Sequence, residues 1–171
     1  MKCVRKKNEW RKMNSAYQSV SLERVNTLSP KLVASATKIL DEAWRKRIPA
    51  YVIWGSRTIE QQDLLYRYGR SMPGDIVTNK RGGFSPHNYG LALDFCLVHG
   101  DKFLSWEDVY HIEYWRLKWR KLIKMFEAED WTSGWRAVNF QPGHVENLLG
   151  NTIGDLHKIY EQENQARHYR L

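Results

Sequence analysis

The segment Ser85-Pro86-His87-Asn88-Tyr89-Gly90-Leu91-Ala92-Leu93-Asp94-Phe95 carries a strand pattern directly behind a turn. In an extended chain successive side chains alternate between faces, so Ala92 and Asp94 share one side while Leu91, Leu93 and Phe95 share the other. The apolar side belongs to a core, and the carboxylate then points into a cleft floored by a small alanine. Gly90 gives the backbone freedom to turn, which lets His87 fold back beside Asp94. An imidazole and a carboxylate converging in this way are ligands for a borderline metal such as zinc.

A catalytic zinc site takes a third protein ligand and keeps one position open. Of the other histidines, His99 lies past the strand beside Gly100, His111 falls in an amphipathic stretch, and His157 and His168 sit in a polar tail. That leaves His144, in Gln141-Pro142-Gly143-His144-Val145-Glu146, where proline and glycine lead tightly into an extended segment. A histidine beside a turn is by default an ordinary surface residue, so position alone leaves both readings open.

The flanking sequence alternates helix and strand signals irregularly. Leu28-Ser29-Pro30 places a capping residue and a first-turn proline ahead of Leu32, Val33, Ala36, Ile39, Leu40 and Ala43 at helical spacing, which predicts a helix over 30–47. Tyr51-Val52-Ile53-Trp54, ending at Gly55, reads as a buried strand. Thr58-Ile59-Glu60-Gln61 has capping-box spacing and opens a helix to about Tyr68, ended by Gly69. Residues 70–86, with Pro73, Gly74, Gly82, Gly83 and Pro86, form a long surface loop of the kind that usually carries function. The strand from Leu91 runs to Val98, Ser105 caps one long helix over 106–127, Trp131–Val138 and His144–Leu149 are extended, and a mixed-charge helix runs from about Ile153 to Gln165. The expected fold is α+β: a single small domain with a short, mainly antiparallel sheet flanked by helices and a metal site in a cleft on the sheet.

The chain has 171 residues, 42% hydrophobic and 27% charged, which suits one domain with its own core. No run of about 20 apolar residues is present, so no membrane-spanning helix and no membrane partner is expected. The start is basic without an apolar segment behind it, which predicts synthesis in the cytoplasm without a signal peptide. Eleven Gly, five Pro and two Cys exclude collagen-like, disordered and disulfide-stapled classes, and Cys3 and Cys96 read as reduced thiols. The net charge of +8 points to a polyanionic partner, either nucleic acid or an anionic bacterial wall, or to nothing more than a basic soluble surface. Lys2, Arg5, Lys6, Lys7, Arg11 and Lys12 make residues 1–27 an electrostatic arm, with one short element around Val20, Leu22 and Val25. The aromatic residues fall on core-like faces, which speaks against nucleic acid. Nothing suggests a dedicated interface, so a monomer is expected.

Residues Ser85 to Asp94 resemble the S-x-H-x-x-G-x-A-x-D signature of the M15 peptidases, a group that includes phage L-alanyl-D-glutamate endolysins and D-alanyl-D-alanine carboxypeptidases and dipeptidases. Upstream, Ser56-Arg57-Thr58-Ile59-Glu60-Gln61-Gln62-Asp63-Leu64-Leu65-Tyr66, Gly69-Arg70-Ser71, Gly74, Ile76-Val77-Thr78-Asn79 and Gly82-Gly83 are similar to the family's conserved run. Leu28-Ser29-Pro30 resembles the opening of its first helix, and Trp131 with Trp135 its tryptophan-rich approach to the last ligand. The resemblance covers about residues 28–149. It implies a zinc peptidase domain over 28–151, preceded by the arm over 1–27 and followed by a helix and tail, 152–171, of the same domain.

The resemblance also implies roles. One Zn²⁺ is held by His87, Asp94 and His144, and a metal-activated water attacks a peptide carbonyl. Arg57 binds substrate or stabilises the oxyanion, while Gln62, Tyr66, Thr78 and Ser85 line the cleft. The substrate is the peptidoglycan stem peptide, cut between L-alanine and D-glutamate in a phage endolysin-like lysis role, with D-alanyl-D-alanine carboxypeptidase as the alternative. The enzyme would act on the wall after release from the cytoplasm, its basic surface held by anionic wall polymer. One position departs from the family: an acid/base residue is expected three places before the last ligand, where this chain has Gln141. An amide cannot take a proton at neutral pH, so three accounts stand. Another carboxylate substitutes (Glu146 first, then Glu129 and Asp130), or Gln141 was introduced to trap substrate, or the protein is a weakened wall-peptide binder.

Overall fold

The computed structural model describes residues 15–133 and 143–168. Helix α1 covers residues 15–25, followed by α2 (Pro30–Arg45), β1 (Ala50–Trp54), α3 (Ile59–Arg67), a 3-10 turn (Pro86–Tyr89), β2 (Ala92–His99) and β3 (Lys102–Phe103). Then come α4 (Trp106–His111), α5 (Glu113–Glu127), β4 (Thr132–Ser133), β5 (His144–Glu146) and α6 (Ile153–His168). The strands form one antiparallel sheet in the order β1-β2-β5-β4, with β3 on the end of β2. The expected α+β architecture is the one that forms.

The alternation in β2 sets the layers. Leu93, Phe95 and Leu97, with Val52 of β1 and Val145 of β5, are at most 1% exposed and pack against α2 and α5. The Phe95 ring lies 5.0 Å from that of Trp119 and 5.3 Å from that of Phe126, so the longest strand and α5 interlock through aromatic contacts. Burying each such side chain contributes about 1.5–3 kcal/mol. The other face of β2 carries Ala92, Asp94 and Cys96. At its Cys96 end the face is covered by α1, through Tyr17 against Tyr51 and Phe103 and Arg24 over the Tyr51 ring. At its Asp94 end it stays open, and that asymmetry makes the cleft. Burial pushes the Cys96 thiol up to about 12, so it is an inert core group.

The short element expected around Val20, Leu22 and Val25 is helix α1, in which Ser21 and Val25 are fully buried and the Ser21 hydroxyl accepts from the Val52 amide. Two expectations are corrected. The single helix over 106–127 is two helices, because Ile112 is extended (φ −97°, ψ 108°). At 100° per residue, Val109 in an unbroken helix would sit about 90° away from the face carrying Trp119, Leu122, Ile123 and Phe126. The break lets both faces reach the core and leaves Ile112 exposed. Ser29 makes no side-chain cap; its amide instead donates to Gly90 O at 2.9 Å. Residues 1–14, the Trp135–Val138 part of the expected strand, Cys3 and Gln141 lie outside the described residues. No helix among the described residues is long and apolar enough to cross a membrane.

Two glycines are structurally required near the site. Gly90 ends the 3-10 turn at φ +65°, and a Cβ there would lie 2.6 Å from Ser29 N. Gly143 has φ +102°, and a Cβ would come within 2.1 Å of Phe95 O, while its own carbonyl accepts from Phe95 N at 2.9 Å. Gly143→Ala must therefore break this β2–β5 contact, and urea unfolding should show a loss of more than about 3 kcal/mol, with β5 displaced.

Candidate metal centre

Antiparallel pairing of β2 with β5 sets Asp94 opposite His144 and Ala92 opposite Glu146, which puts all four on the open face. His87 reaches the same point from the 3-10 turn, which is stitched to the segment after β1. Its carbonyl accepts from Arg57 N at 2.9 Å and from the Ser56 hydroxyl at 3.2 Å, and the Asn88 amide donates to Arg57 O at 3.1 Å. One ligand atom from each of His87, Asp94 and His144 lies within 4.8 Å of the others. His87 Nε2 is 3.3 Å from both His144 Nδ1 and Asp94 Oδ2, and His144 Nδ1 is 2.9 Å from Asp94 Oδ1.

The outward nitrogens are also engaged. His87 Nδ1–H donates to Gly55 O at 2.7 Å, and His144 Nε2–H donates to Glu146 Oε2 at 3.0 Å. Each bond fixes which nitrogen turns inward, the usual arrangement around a ligated imidazole. The donor set fits zinc on chemistry and on spacing: two ligands on a tetrahedral ion with bonds of about 2.0–2.1 Å sit roughly 3.3 Å apart.

Electrostatics poise the cluster. Burial alone would raise the Asp94 pKa, but hydrogen bonds from His144 and His87 hold it far below the usual carboxylate range. Burial would lower that of His144, yet its bonds to Asp94 and Glu146 raise it to about 9. At neutral pH the Nδ1 proton of His144 therefore competes with any cation for that nitrogen. Rising pH removes the proton, so zinc affinity of the protein should increase about tenfold per pH unit between pH 6 and 8, with one proton released per ion. It should level off near pH 9. Titration calorimetry in buffers of different ionisation enthalpy reads both quantities.

Arg57 packs beside the cluster at 11% side-chain exposure, with Nη2 paired to Asp94 Oδ2 and Nη1 donating to Gln62 Oε1 at 3.2 Å. Gln62 does not line the open cleft as expected. It is fully buried, and its Nε2 donates to Lys80 O at 2.9 Å and Thr78 Oγ1 at 3.3 Å, so it ties the long loop to Arg57. Ser85 is likewise buried, ahead of the 3-10 turn, at 4% exposure. Thr78 and Tyr66 are half-buried; the Arg70 guanidinium stacks 4.0 Å from the Tyr66 ring centroid and bonds Tyr66 O and Thr78 O. Glu146 faces the outer nitrogen of His144, in an orienting position, and that bond holds its own pKa low. Glu129 pairs with Lys38 of α2, behind the sheet, and Asp130 sits in a turn at φ +61°. The sequence pattern does not reveal the Gly55 carbonyl, since every residue has one, nor the exposure of Trp54, which sits opposite Asp94 on β1.

No protein-family model matches the chain. The peptidoglycan L-alanyl-D-glutamate endopeptidase CwlK of Bacillus subtilis (strain 168) is 32% identical over 145 residues, covering 83% of this chain and 84% of CwlK. Among solved structures, the L-Ala D-Glu endopeptidase ChiX of Serratia marcescens is similar with a TM-score of 0.49 at 20% identity, over 76% of this chain and 87% of that one. The vancomycin-resistance D,D-dipeptidase VanXYg, solved with a D-Ala-D-Ala phosphinate analogue, gives 0.47 at 15% identity, over 77% and 59%.

Proposed function

Because this chain belongs to the M15 family of zinc peptidases, we propose that it hydrolyses the stem peptide of bacterial peptidoglycan between L-alanine and D-glutamate, with one zinc ion held by His87, Asp94 and His144. The observation that carries this reading is the convergence of the three donors, each imidazole with its outer nitrogen already bonded. When bound, zinc supplies Lewis-acid chemistry, acidifying a water and polarising the peptide carbonyl.

The protein's own groups do the rest. Gly55 O and Glu146 orient the two imidazoles, and the Asp94 carboxylate stays ionised. Arg57, its charge permanent and its fork braced by Asp94 and Gln62, offers donors to a substrate carboxylate or to a developing oxyanion. Tyr66 and Thr78, both half-buried and both bonded by Arg70, would line the cleft. Gln141, three residues before His144, can orient a water by hydrogen bonds but cannot accept its proton, so slow turnover is expected unless another carboxylate, Glu146 first, takes that role. That residue also favours a second reading, a metal-bearing protein that binds wall peptide without cutting it. The net charge of +8 supports retention on anionic wall polymer, and a role in phage lysis fits the same chemistry.

Digestion of purified walls followed by mass spectrometry of the new peptide ends separates these readings. Stems beginning with D-glutamate are expected. Release of terminal D-alanine would indicate the carboxypeptidase alternative, and binding without new ends the second reading.

A further inference from the structure

Trp54 is the last residue of β1 and lies opposite Asp94 in the β1–β2 register, so its indole belongs to the face that carries the metal donors. It is 45% exposed. Its ring centroid is 5.4 Å from Arg57 Cζ, and Arg57 in turn pairs with Asp94, so one side chain separates the ring from the cluster. Among the described residues, no other aromatic ring packs on it. A large, flat, electron-rich surface is thus left open beside the donor cluster.

The chemistry of the stem peptide says what fits. This step rests on the L-alanyl-D-glutamate reading above. Next to that bond the peptide offers a methyl group, a carboxylate and a charged diamino acid; of these the diamino acid's ammonium also suits an indole face, so the ligands that test the sugar must end at D-glutamate. L-alanine is joined through a lactyl group to N-acetylmuramic acid, whose pyranose ring starts about two residue lengths, ~7 Å, from the scissile carbonyl. Trp54 stands across the strand pair from Asp94, with Arg57 alone between its ring and that carboxylate. We infer that Trp54 is the platform for the N-acetylmuramoyl ring, packing its C–H face on the indole, with Arg57 bracing the ring. The protein then recognises stems still attached to glycan in preference to free peptides.

Calorimetry on the zinc-loaded protein tests this without relying on turnover. The two ligands are N-acetylmuramoyl-L-Ala-D-Glu and N-lactoyl-L-Ala-D-Glu, which differ only in the sugar. The sugar-bearing ligand should bind about tenfold more tightly. Trp54→Ala should erase that difference while leaving the lactoyl ligand within about twofold, and Trp54→Phe should keep most of it where Trp54→Leu does not. Equal affinities in the unaltered protein, or equal weakening of both ligands by Trp54→Ala, overturn the inference; the latter would mean that the ring serves only Arg57. If neither ligand binds but a peptide ending in D-Ala-D-Ala does, the L-alanyl-D-glutamate reading fails and the platform falls with it.

Discussion

His87→Ala should leave a folded protein with almost no bound zinc and with wall-digesting activity lowered on the order of 10³-fold or more. The imidazole is 2% exposed and contributes the one donor that does not come from the β2–β5 pair, so its loss leaves two ligands on adjacent strands. A two-ligand remnant does not make the three-ligand site of a catalytic zinc. The substitution also removes the donor to Gly55 O, which costs about 1–3 kcal/mol of stability. Circular dichroism and a melting curve distinguish that modest loss from unfolding, and metal analysis gives the stoichiometry. A variant that still carries one zinc per chain would show that the ion sits elsewhere.

Gln141→Glu acts in the opposite direction. Restoring a proton acceptor three residues before His144 should raise the rate of stem-peptide cleavage by about 10²–10⁴-fold, with zinc content unchanged. The expectation depends on Glu146 being occupied with His144 Nε2 and therefore poorly free to serve as the base itself. Glu146→Gln checks this. If Glu146 only orients the imidazole, the variant binds zinc about 10–100-fold more weakly, and excess metal recovers its rate. If Glu146 is the base, excess metal recovers nothing, and Gln141→Glu adds little to the original chain.

Much of this is legible in the sequence. The alternation of Leu91 to Phe95 specifies both the core face and the site face of β2, because the side-chain period of a strand leaves no third choice. The turn at Gly90 and the capping box at Thr58 follow from local backbone chemistry. What was not legible depends on distant partners. Ile112 has an ordinary helical sequence around it, and the break there follows only from where α5 must meet the sheet. The element around Val20, Leu22 and Val25 is legible, but its docking is not, because it depends on the Val52 amide that the Ser21 hydroxyl meets. Gln62 looks like a polar cleft residue on a helix, and its burial is set by three acceptor and donor atoms 5 to 18 positions further along or back in the chain.

That last side chain has a mechanical meaning. One carboxamide grips the guanidinium on one side and the Lys80 carbonyl and Thr78 hydroxyl on the other, and the side chain that does so is fully buried. The loop at Lys80 and the cation beside Asp94 are therefore yoked through one buried carboxamide, so neither can shift without straining or breaking a bond shared with the other.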